Sequence, residues 1–211
     1  IINNFNTKDI LLNAIDSLIE IQNTQTPTLV KTLKKYDYCS FKTEIDEFAE
    51  FYFPFNNISD DAVDNFHYVW KSEFDNLKFD WISFVHKDFE LSNLIYLPDK
   101  DGHLKCGIID FQNAFIGFSG WDVFSLLESP RVNFDDKYND ELVEYFFNNT
   151  KQKLSFNDFL TQYYFLNLAR QTRIIGRWIN LYKKNKITYY TKYMPITMHR
   201  LNKSLHKLKK K

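Results

Sequence analysis

The stretch that decides the fold runs from His86 to Asp110 and reads HKDFELSNLIYLPDKDGHLKCGIID. Within it, the apolar runs Leu94–Leu97 and Leu104–Ile109 flank a polar turn that contains Gly102. Two strand-like runs around a Gly-containing turn predict a β-hairpin. The apolar run WISFV, residues 81–85, comes just before the stretch and predicts another short strand.

Polar residues occupy regular positions at both ends of this hairpin. His86, Asp88 and Asn93 have the spacing His-x-Asp-x-x-x-x-Asn, and Asp110-Phe111 follows the second predicted strand. Because the outer ends of an antiparallel pair lie side by side, we expect Asn93 and Asp110 to face one pocket with Asp88. Phosphoryl transfer needs a group that positions the acceptor hydroxyl and hard oxygen ligands for Mg²⁺ on the nucleotide. The spacing therefore predicts a kinase-type site.

Each of these residues also has a structural interpretation. Asp88 can cap a turn of its loop, and Asn93 and Asp110 can serve as turn residues at the hairpin ends. The preceding strand, the hairpin length and the Asp-Phe pair together favour the base and metal roles. His86 is interpreted as a hydrogen-bonded structural histidine and not as a base.

Helical periodicity dominates the rest of the chain, which is predicted to return to helix after Asp110. The predicted boundaries are an N-cap at Asn6, an end at Pro54, a start at Ser59, a cap at Ser155 and Asp158, and a start at Pro195. For the last helix the pattern predicts a buried side made of Met198, Leu201, Leu205 and Leu208. The predicted fold class is α+β and mostly helical.

Composition narrows the class of protein. Among 211 residues, 27 Lys and Arg balance 27 Asp and Glu, which gives no reason to expect nucleic acid as a partner. Apolar residues make up 44% of the chain, which argues against disorder, yet no apolar run approaches the roughly 18 residues of a membrane span. Cys39 and Cys106 fit neither a metal spacing nor a disulfide framework. We expect a cytoplasmic protein without a membrane partner.

The tract from His86 to Leu127 resembles the aminoglycoside phosphotransferase/choline kinase superfamily. More narrowly, it is similar to bacterial anomeric kinases that phosphorylate N-acetylmuramate and N-acetylglucosamine. The shared features are Asn-Leu-x-x-Leu-Pro at 93–98, Ile-Asp-Phe-Gln at 109–112 and an Asp at position 122 in a Ser-Leu-Leu helix. The segment 167–176, NLARQTRIIG, resembles their C-terminal helix, and Glu44–Tyr52 matches an earlier helix more loosely.

This resemblance implies a protein-kinase-like C-terminal lobe over residues 1–211, with the hairpin carrying the catalytic loop. Asp88 would be the catalytic base, and Asn93 and Asp110 would bind Mg²⁺. His86 and Asp122 would support the catalytic loop. ATP would be the co-substrate, and a sugar or amino sugar would be the acceptor.

The five glycines form no Gly-rich nucleotide loop, because all of them lie after Asp88. We therefore expect the N-terminal β lobe of the superfamily to be separately encoded or missing, and the chain alone to bind MgATP weakly and turn over slowly or not at all. The start at Ile1 is in keeping with a fragment or a processed product. The alternative function is an inactive fragment or split-gene remnant that acts at most as a binding module.

Arg170, Arg173 and Arg177 recur along one predicted helix. A solvated or salt-bridged face is the favoured interpretation. Arg170 and Arg173 remain weak candidates for binding an anionic group of a sugar substrate. A protein kinase is the third hypothesis, but the segment after Asp110 lacks an Ala-Pro-Glu element and points to a small acceptor.

Overall fold

Helices dominate the computed structural model, which describes residues 7–78, 82–151 and 153–209. The α-helices among these residues are α1 (Thr7–Thr24), α2 (Pro27–Thr32), α3 (Tyr38–Phe55), α4 (Asp60–Asp75), α5 (Trp121–Leu127), α6 (Asp136–Asn149), α7 (Phe156–Asn185) and α8 (Met194–Lys209). The strands are β1 (Ser83–Val85), β2 (Leu94–Tyr96), β3 (Cys106–Ile108) and β4 (Phe115–Gly117). The prediction of a mostly helical α+β chain is confirmed.

The described residues form two compact units. The first contains residues 7–35, 82–129 and 134–159 apart from residue 152, and it includes all four strands. The second contains residues 36–78, 130–133 and 160–209, and it includes α3, α4, α8 and most of α7. The stretch from His86 to Asp110 therefore lies wholly within the first unit.

The predicted hairpin is confirmed as the antiparallel pair β2 and β3. Leu94 lies opposite Ile108, and Tyr96 lies opposite Cys106. The second strand is shorter than predicted, because a 3₁₀ turn at Gly102–Lys105 takes up its first residues. Ser17 of α1 donates a hydrogen bond to the His103 carbonyl in this turn at 2.6 Å, which anchors the hairpin tip to the first helix.

A second sheet, which the sequence did not predict, pairs β1 with β4 antiparallel. Phe84 lies opposite Ile116 in this pair. The outer edge of β1 is satisfied by side chains, because Gln25 accepts from the Phe84 N–H at 2.7 Å and Gln22 donates to its carbonyl at 2.8 Å. Strand prediction for 81–85 is confirmed over 83–85, and Trp81 lies outside the described residues.

Helix α5 lies in the core of the first unit, and all seven of its residues are buried. Trp121 packs edge-on against Phe115 of β4, with ring centroids 5.1 Å apart. Phe118, just before the helix, packs on Phe159 at 5.0 Å. Each buried aromatic side chain stabilises the fold by roughly 1.5–3 kcal/mol. This packing makes α5 a rigid support for its own polar residues.

The predicted helix starts at Ser155 and Ser59 agree with the structure, and α8 begins at Met194, one residue before the predicted start at Pro195. The Ser155 hydroxyl donates to the Asp158 carboxylate at 2.8 Å and accepts from the Asp158 N–H at 3.2 Å, which fixes the first turn of α7. Ser59 precedes α4 as predicted, although its side chain makes no capping hydrogen bond. The predicted cap at Asn6 lies outside the described residues.

The prediction that α3 ends at Pro54 is wrong, because the helix continues through Pro54 to Phe55. Proline lacks only its own N–H, so within the last turn it removes a single helical hydrogen bond. Asn56 then closes the helix, and its N–H bonds to the carbonyls of Tyr52 and Phe53. Inside the second unit, α3 packs through aromatic rings, and Phe41 stacks on Phe165 at 5.5 Å.

The predicted buried side of α8 is also wrong. The buried residues of this helix are Thr197, Arg200 and Ser204. Met198 and Leu205 are each 36% exposed. Polar contacts replace the expected apolar ones: Asn167 of α7 donates to the Ser204 hydroxyl at 3.0 Å, and Arg200 donates to Asn133 at 3.3 Å. Buried polar side chains of this kind need such partners, and apolar periodicity gives no sign of them.

Gly176 marks a close approach of α7 to α3 within the second unit. An added Cβ would lie 2.5 Å from the Glu47 carbonyl oxygen and 2.6 Å from the Phe48 Cα. Because these are backbone atoms, we expect Gly176→Ala to lower the free energy of unfolding by about 1–3 kcal/mol despite the better helix propensity of Ala. Urea unfolding measures this change.

Gly107→Ala is the matched control, because its Cβ would meet only ordinary contacts at 3.4 Å or more. We expect that variant to unfold within about 0.5 kcal/mol of the parent. A Gly176→Ala protein as stable as the parent would contradict the close packing of α7 on α3.

The predictions about the cysteines and about membrane-spanning segments can be compared with the described residues. Both cysteines are free, with Cys39 exposed and Cys106 half-buried, and burial raises the pKa of the Cys106 thiol. None of the helices in the described part of the chain is both long enough and apolar enough to cross a membrane.

Candidate functional site: the loop between β1 and β2

The loop that follows β1 makes a sharp turn at Lys87. The φ angle of this residue is +79°, in the left-handed region that residues with a Cβ rarely adopt. A 3₁₀ turn at Leu91–Asn93 then leads directly into β2. Left-handed residues other than glycine persist where the surrounding structure holds them, and they cluster at functional sites.

Asp122 of α5 holds the start of this loop. Its two carboxylate oxygens accept hydrogen bonds from the backbone N–H groups of His86, at 2.7 Å, and Lys87, at 3.0 Å. The Asp122 side chain is 1% exposed, and this burial raises its pKa to about 7, although the two N–H groups act in the opposite direction. Ser125, one turn later, donates to the Lys87 carbonyl at 3.5 Å. The strained residue is thus held through both of its peptide groups.

His86 joins the loop to the end of β3. Its Nε2 lies 2.9 Å from the Ile109 carbonyl oxygen, and because a carbonyl only accepts, Nε2 must carry the proton. Nδ1 is then a bare acceptor, and it is buried with no hydrogen-bond partner among the residues that the structure describes. Burial lowers the pKa of His86, while the Ile109 carbonyl opposes that shift. His86 therefore connects the loop to the end of β3, and its Nε2 is used in that hydrogen bond.

Asn93 lies at the start of β2 with its amide turned toward the loop. Its Nδ2 donates to the backbone carbonyl of Asp88 at 2.8 Å. The backbone carbonyl of Asn93 accepts from the Ile109 N–H at 3.1 Å. Since Nδ2 is engaged, the side-chain oxygen is the atom of Asn93 that remains for a ligand. The backbone bond to Ile109 also brings Asn93 next to the residue that precedes Asp110.

Asp110 follows β3 in a left-handed conformation, with φ +67° and ψ +40°. Its side chain is exposed and makes no hydrogen bond or ion pair with the residues that the structure describes. A 3₁₀ turn at Phe111–Asn113 begins at this residue. The hairpin thus places the Asn93 backbone and the Asp110 segment side by side.

The amide oxygen of Asn93 and the carboxylate of Asp110 are oxygen ligands of the type that hard cations prefer. Among the described residues, no group of three or more His, Cys, Asp or Glu side chains has metal-binding geometry. Asn93 and Asp110 supply one amide oxygen and one carboxylate, and Mg²⁺ commonly takes one or two carboxylates together with waters and substrate phosphates. The donor set therefore fits a magnesium ion that arrives with a nucleotide, and it does not fit a closed protein cage.

Asp88 is half-buried between these elements. Its carbonyl accepts from Asn93 Nδ2 and from the Glu90 N–H, at 2.8 and 2.9 Å. One carboxylate oxygen, Oδ2, accepts from Asn113 Nδ2 at 3.2 Å. The sequence did not single out Asn113, because the 3₁₀ turn that directs it toward the loop has no distinctive pattern.

The arginines of α7 lie in the second unit and differ in burial. The prediction was a solvated or salt-bridged face, and since Arg170 is only 7% exposed, the solvated alternative is wrong for that residue. Arg173 is half-buried, and Arg177 is exposed and forms an ion pair with Glu47 at 3.2 Å. The ion pair agrees with the salt-bridged interpretation. A role of Arg170 or Arg173 in binding an anionic sugar group stays a prediction.

Comparison with known protein families gives the class of protein to which the chain belongs. The chain matches the phosphotransferase enzyme family over residues 36–156, more than half of its length, and it belongs to that family. The resemblance noted from the sequence is thereby confirmed.

Two relatives carry the name N-acetylmuramate/N-acetylglucosamine kinase. The protein of Caulobacter vibrioides is 28% identical over 190 residues, which cover 86% of this chain and 52% of the relative. That of Neisseria meningitidis serogroup B is 23% identical over 197 residues, which cover 89% of this chain and 56% of the relative. The chain thus spans about half the length of these relatives.

Proposed function

We propose that this protein is an ATP-dependent kinase of a sugar or amino sugar, with Asp88 as the catalytic base. The observation that carries the proposal is the position of Asp88, half-buried on a loop held by Asp122 and next to the Asn93 and Asp110 segments. Family membership supports the reaction class, and the names of the two relatives support an amino sugar as acceptor.

In the proposed reaction, an acceptor hydroxyl attacks the γ-phosphorus of ATP in line with the leaving oxygen. The new bond joins the acceptor oxygen to phosphorus, and the bond between the γ-phosphorus and the β–γ bridging oxygen breaks. Asp88 orients the hydroxyl and takes its proton, while ADP carries away the leaving oxygen. Catalysis of phosphoryl transfer depends on positioning together with electrostatic stabilisation, so a rigidly held loop is an advantage.

Asn93 Oδ1 and the Asp110 carboxylate are the proposed protein ligands for Mg²⁺. When bound, the ion would neutralise negative charge on the nucleotide phosphates. Asn93 suits this role because its Nδ2 is committed to the Asp88 carbonyl, which fixes the orientation of the amide. His86 and Asp122 are proposed to support the loop, through the Ile109 carbonyl and the two loop N–H groups respectively.

An acceptor screen tests the proposed function. ADP formation by the natural gene product that contains these 211 residues would be followed with amino sugars, aminoglycosides and choline, each with and without Mg²⁺. We expect N-acetylmuramate and N-acetylglucosamine to give the highest rates, and only with Mg²⁺ present. Rates that do not depend on any of these acceptors would contradict the proposal.

A further inference from the structure

Asn113 is directed toward the catalytic loop by the turn that follows β3. Asp110 takes a left-handed conformation, and the next three residues form a 3₁₀ turn. The Ala114 N–H closes this turn on the Phe111 carbonyl at 3.0 Å, immediately before β4 begins. The side chain of Asn113 is therefore carried on a short turn between two strands whose partners are fixed.

The side chain of Asn113 reaches Asp88, which is 25 residues away in the sequence. Asn113 Nδ2 lies 3.2 Å from Asp88 Oδ2. A carboxylate only accepts hydrogen bonds, so the amide nitrogen and not the amide oxygen must face it. Both side chains are short, which means that the contact depends on the backbone positions and leaves little conformational freedom to either residue.

This contact settles which oxygen of Asp88 stays open. Among the described residues, Asp88 Oδ1 accepts no hydrogen bond, while Oδ2 is taken by Asn113. The terminal torsion of an aspartate is broad, so a free carboxylate samples many rotations. A donor on one oxygen restricts that rotation and holds the other oxygen in a constant direction.

We propose that Asn113 is a positioning residue, which acts through Asp88 by holding Oδ2 so that Oδ1 faces the acceptor hydroxyl. This inference rests on the proposed role of Asp88 as base. Asn113 is exposed, so its contribution to folding is small, and its effect should be on kcat with little change in the acceptor KM.

Two substitutions at position 113 separate positioning from packing. Asn113→Asp keeps the shape but places a second carboxylate against Asp88, while Asn113→Ala only removes the donor. We expect kcat to fall about 10-fold in Asn113→Ala and further in Asn113→Asp, with the acceptor KM within about twofold of the parent. A packing role predicts the reverse order, because Asp is nearly isosteric with Asn.

Asn149→Asp and Asn149→Ala are the matched controls. Asn149 is also exposed in the first unit, and its Nδ2 donates to the Tyr145 carbonyl at 2.8 Å, at the end of α6. These controls should keep the parent kcat.

A double-mutant cycle tests whether Asn113 acts through Asp88. In the Asp88→Asn background, Asn113→Ala should leave the residual kcat unchanged within about twofold. If Asp88→Asn itself is fully active, the proposed function fails. If Asp88→Asn is impaired while both Asn113 variants match the parent, or Asn113→Asp is the milder one, only this inference fails.

The contact can also be measured without turnover. In NMR spectra of the 211-residue chain, Asp88→Ala should shift the side-chain NH₂ resonance of Asn113 and leave that of Asn149 in place. An Asn113 resonance that does not respond to Asp88→Ala would overturn the inference independently of any activity.

Discussion

Asp88→Asn is expected to lower kcat by about 10²–10⁴-fold, the usual cost of removing a positioned base. The amide has nearly the shape of the carboxylate but cannot take the proton of the acceptor hydroxyl. The Asp88 carbonyl still accepts from Asn93 and Glu90, so the loop should keep its conformation. Initial rates of ADP formation measure the loss, and circular dichroism and thermal unfolding check the fold.

Asp99→Asn is the control for the loss of one negative charge on the same hairpin, because Asp99 is exposed in its turn, at the end away from Asn93 and Asp110. Its rate should match that of the parent. Unchanged turnover in Asp88→Asn, or an equal loss in Asp99→Asn, would contradict the role of Asp88. An inactive parent would instead favour the remnant hypothesis.

Asp122→Ala is expected to destabilise the first unit by about 2–5 kcal/mol. The substitution leaves the N–H groups of His86 and Lys87 without their acceptor and opens a small cavity where the buried Asp122 carboxylate lay. Lys87 would also lose part of the restraint on its left-handed conformation. Urea unfolding measures the change, and we expect kcat to fall with it because the loop carries Asp88.

Asp135→Ala is the matched control, because Asp135 accepts a backbone N–H, that of Tyr138, at an exposed N-cap. Loss of such a cap typically costs about 1 kcal/mol. Equal losses of stability in the two variants would show that the hydrogen bonds of Asp122 to the loop stabilise the fold no more than an ordinary helix cap does.

The stability contribution of Asp122 should also depend on pH. Burial raises its pKa from 3.8 to about 7 in the folded state, so between pH 4 and 7 the folded protein binds a proton that the unfolded chain has released. The contribution is therefore largest near pH 4 and is lost as the pH rises to about 7, by on the order of 4 kcal/mol.

Asp122→Asn, which cannot titrate, serves as the reference for this change. The stability of the parent relative to Asp122→Asn should fall between pH 4.5 and pH 8. A difference that stays constant or grows with pH would mean that the two N–H groups outweigh burial. Asp60→Asn, at an exposed position in the first turn of α4, controls for the loss of a charge.

The hairpin and the main helices could be predicted because their signals are local. Apolar runs on either side of the turn at Gly102 specify β2 and β3, and Ser155 with Asp158 specifies the start of α7. The pair β1 and β4 was missed because Phe84 and Ile116 lie 32 positions apart, and three-residue strands leave too few residues for a clear pattern. Pairing of that kind depends on the tertiary structure.

The buried polar residues could not be predicted from periodicity. Arg200 and Ser204 occupy the buried side of α8 because Asn133 and Asn167 supply partners there, and partners in other segments leave no local signal. Arg170 was likewise expected on a solvated or salt-bridged face, and it is buried.

The spacing of the residues indicated which side chains form the candidate site. It did not indicate the backbone conformations that hold them in place. Left-handed conformations at Lys87 and Asp110 have no sequence signal when the residue is not glycine. The contact between Asn113 and Asp88 depends on that left-handed turn, so it too emerged only with the structure.

Phosphorus NMR of the reaction products tests the central claim most directly. The natural gene product would be mixed with MgATP and N-acetylmuramate or N-acetylglucosamine, beside its Asp88→Asn variant. The account predicts a sugar phosphate resonance that grows with ADP in the parent and is nearly absent in Asp88→Asn. Sugar phosphate formed at equal rates by both proteins, or ATP consumed without a phosphorylated sugar, would contradict it.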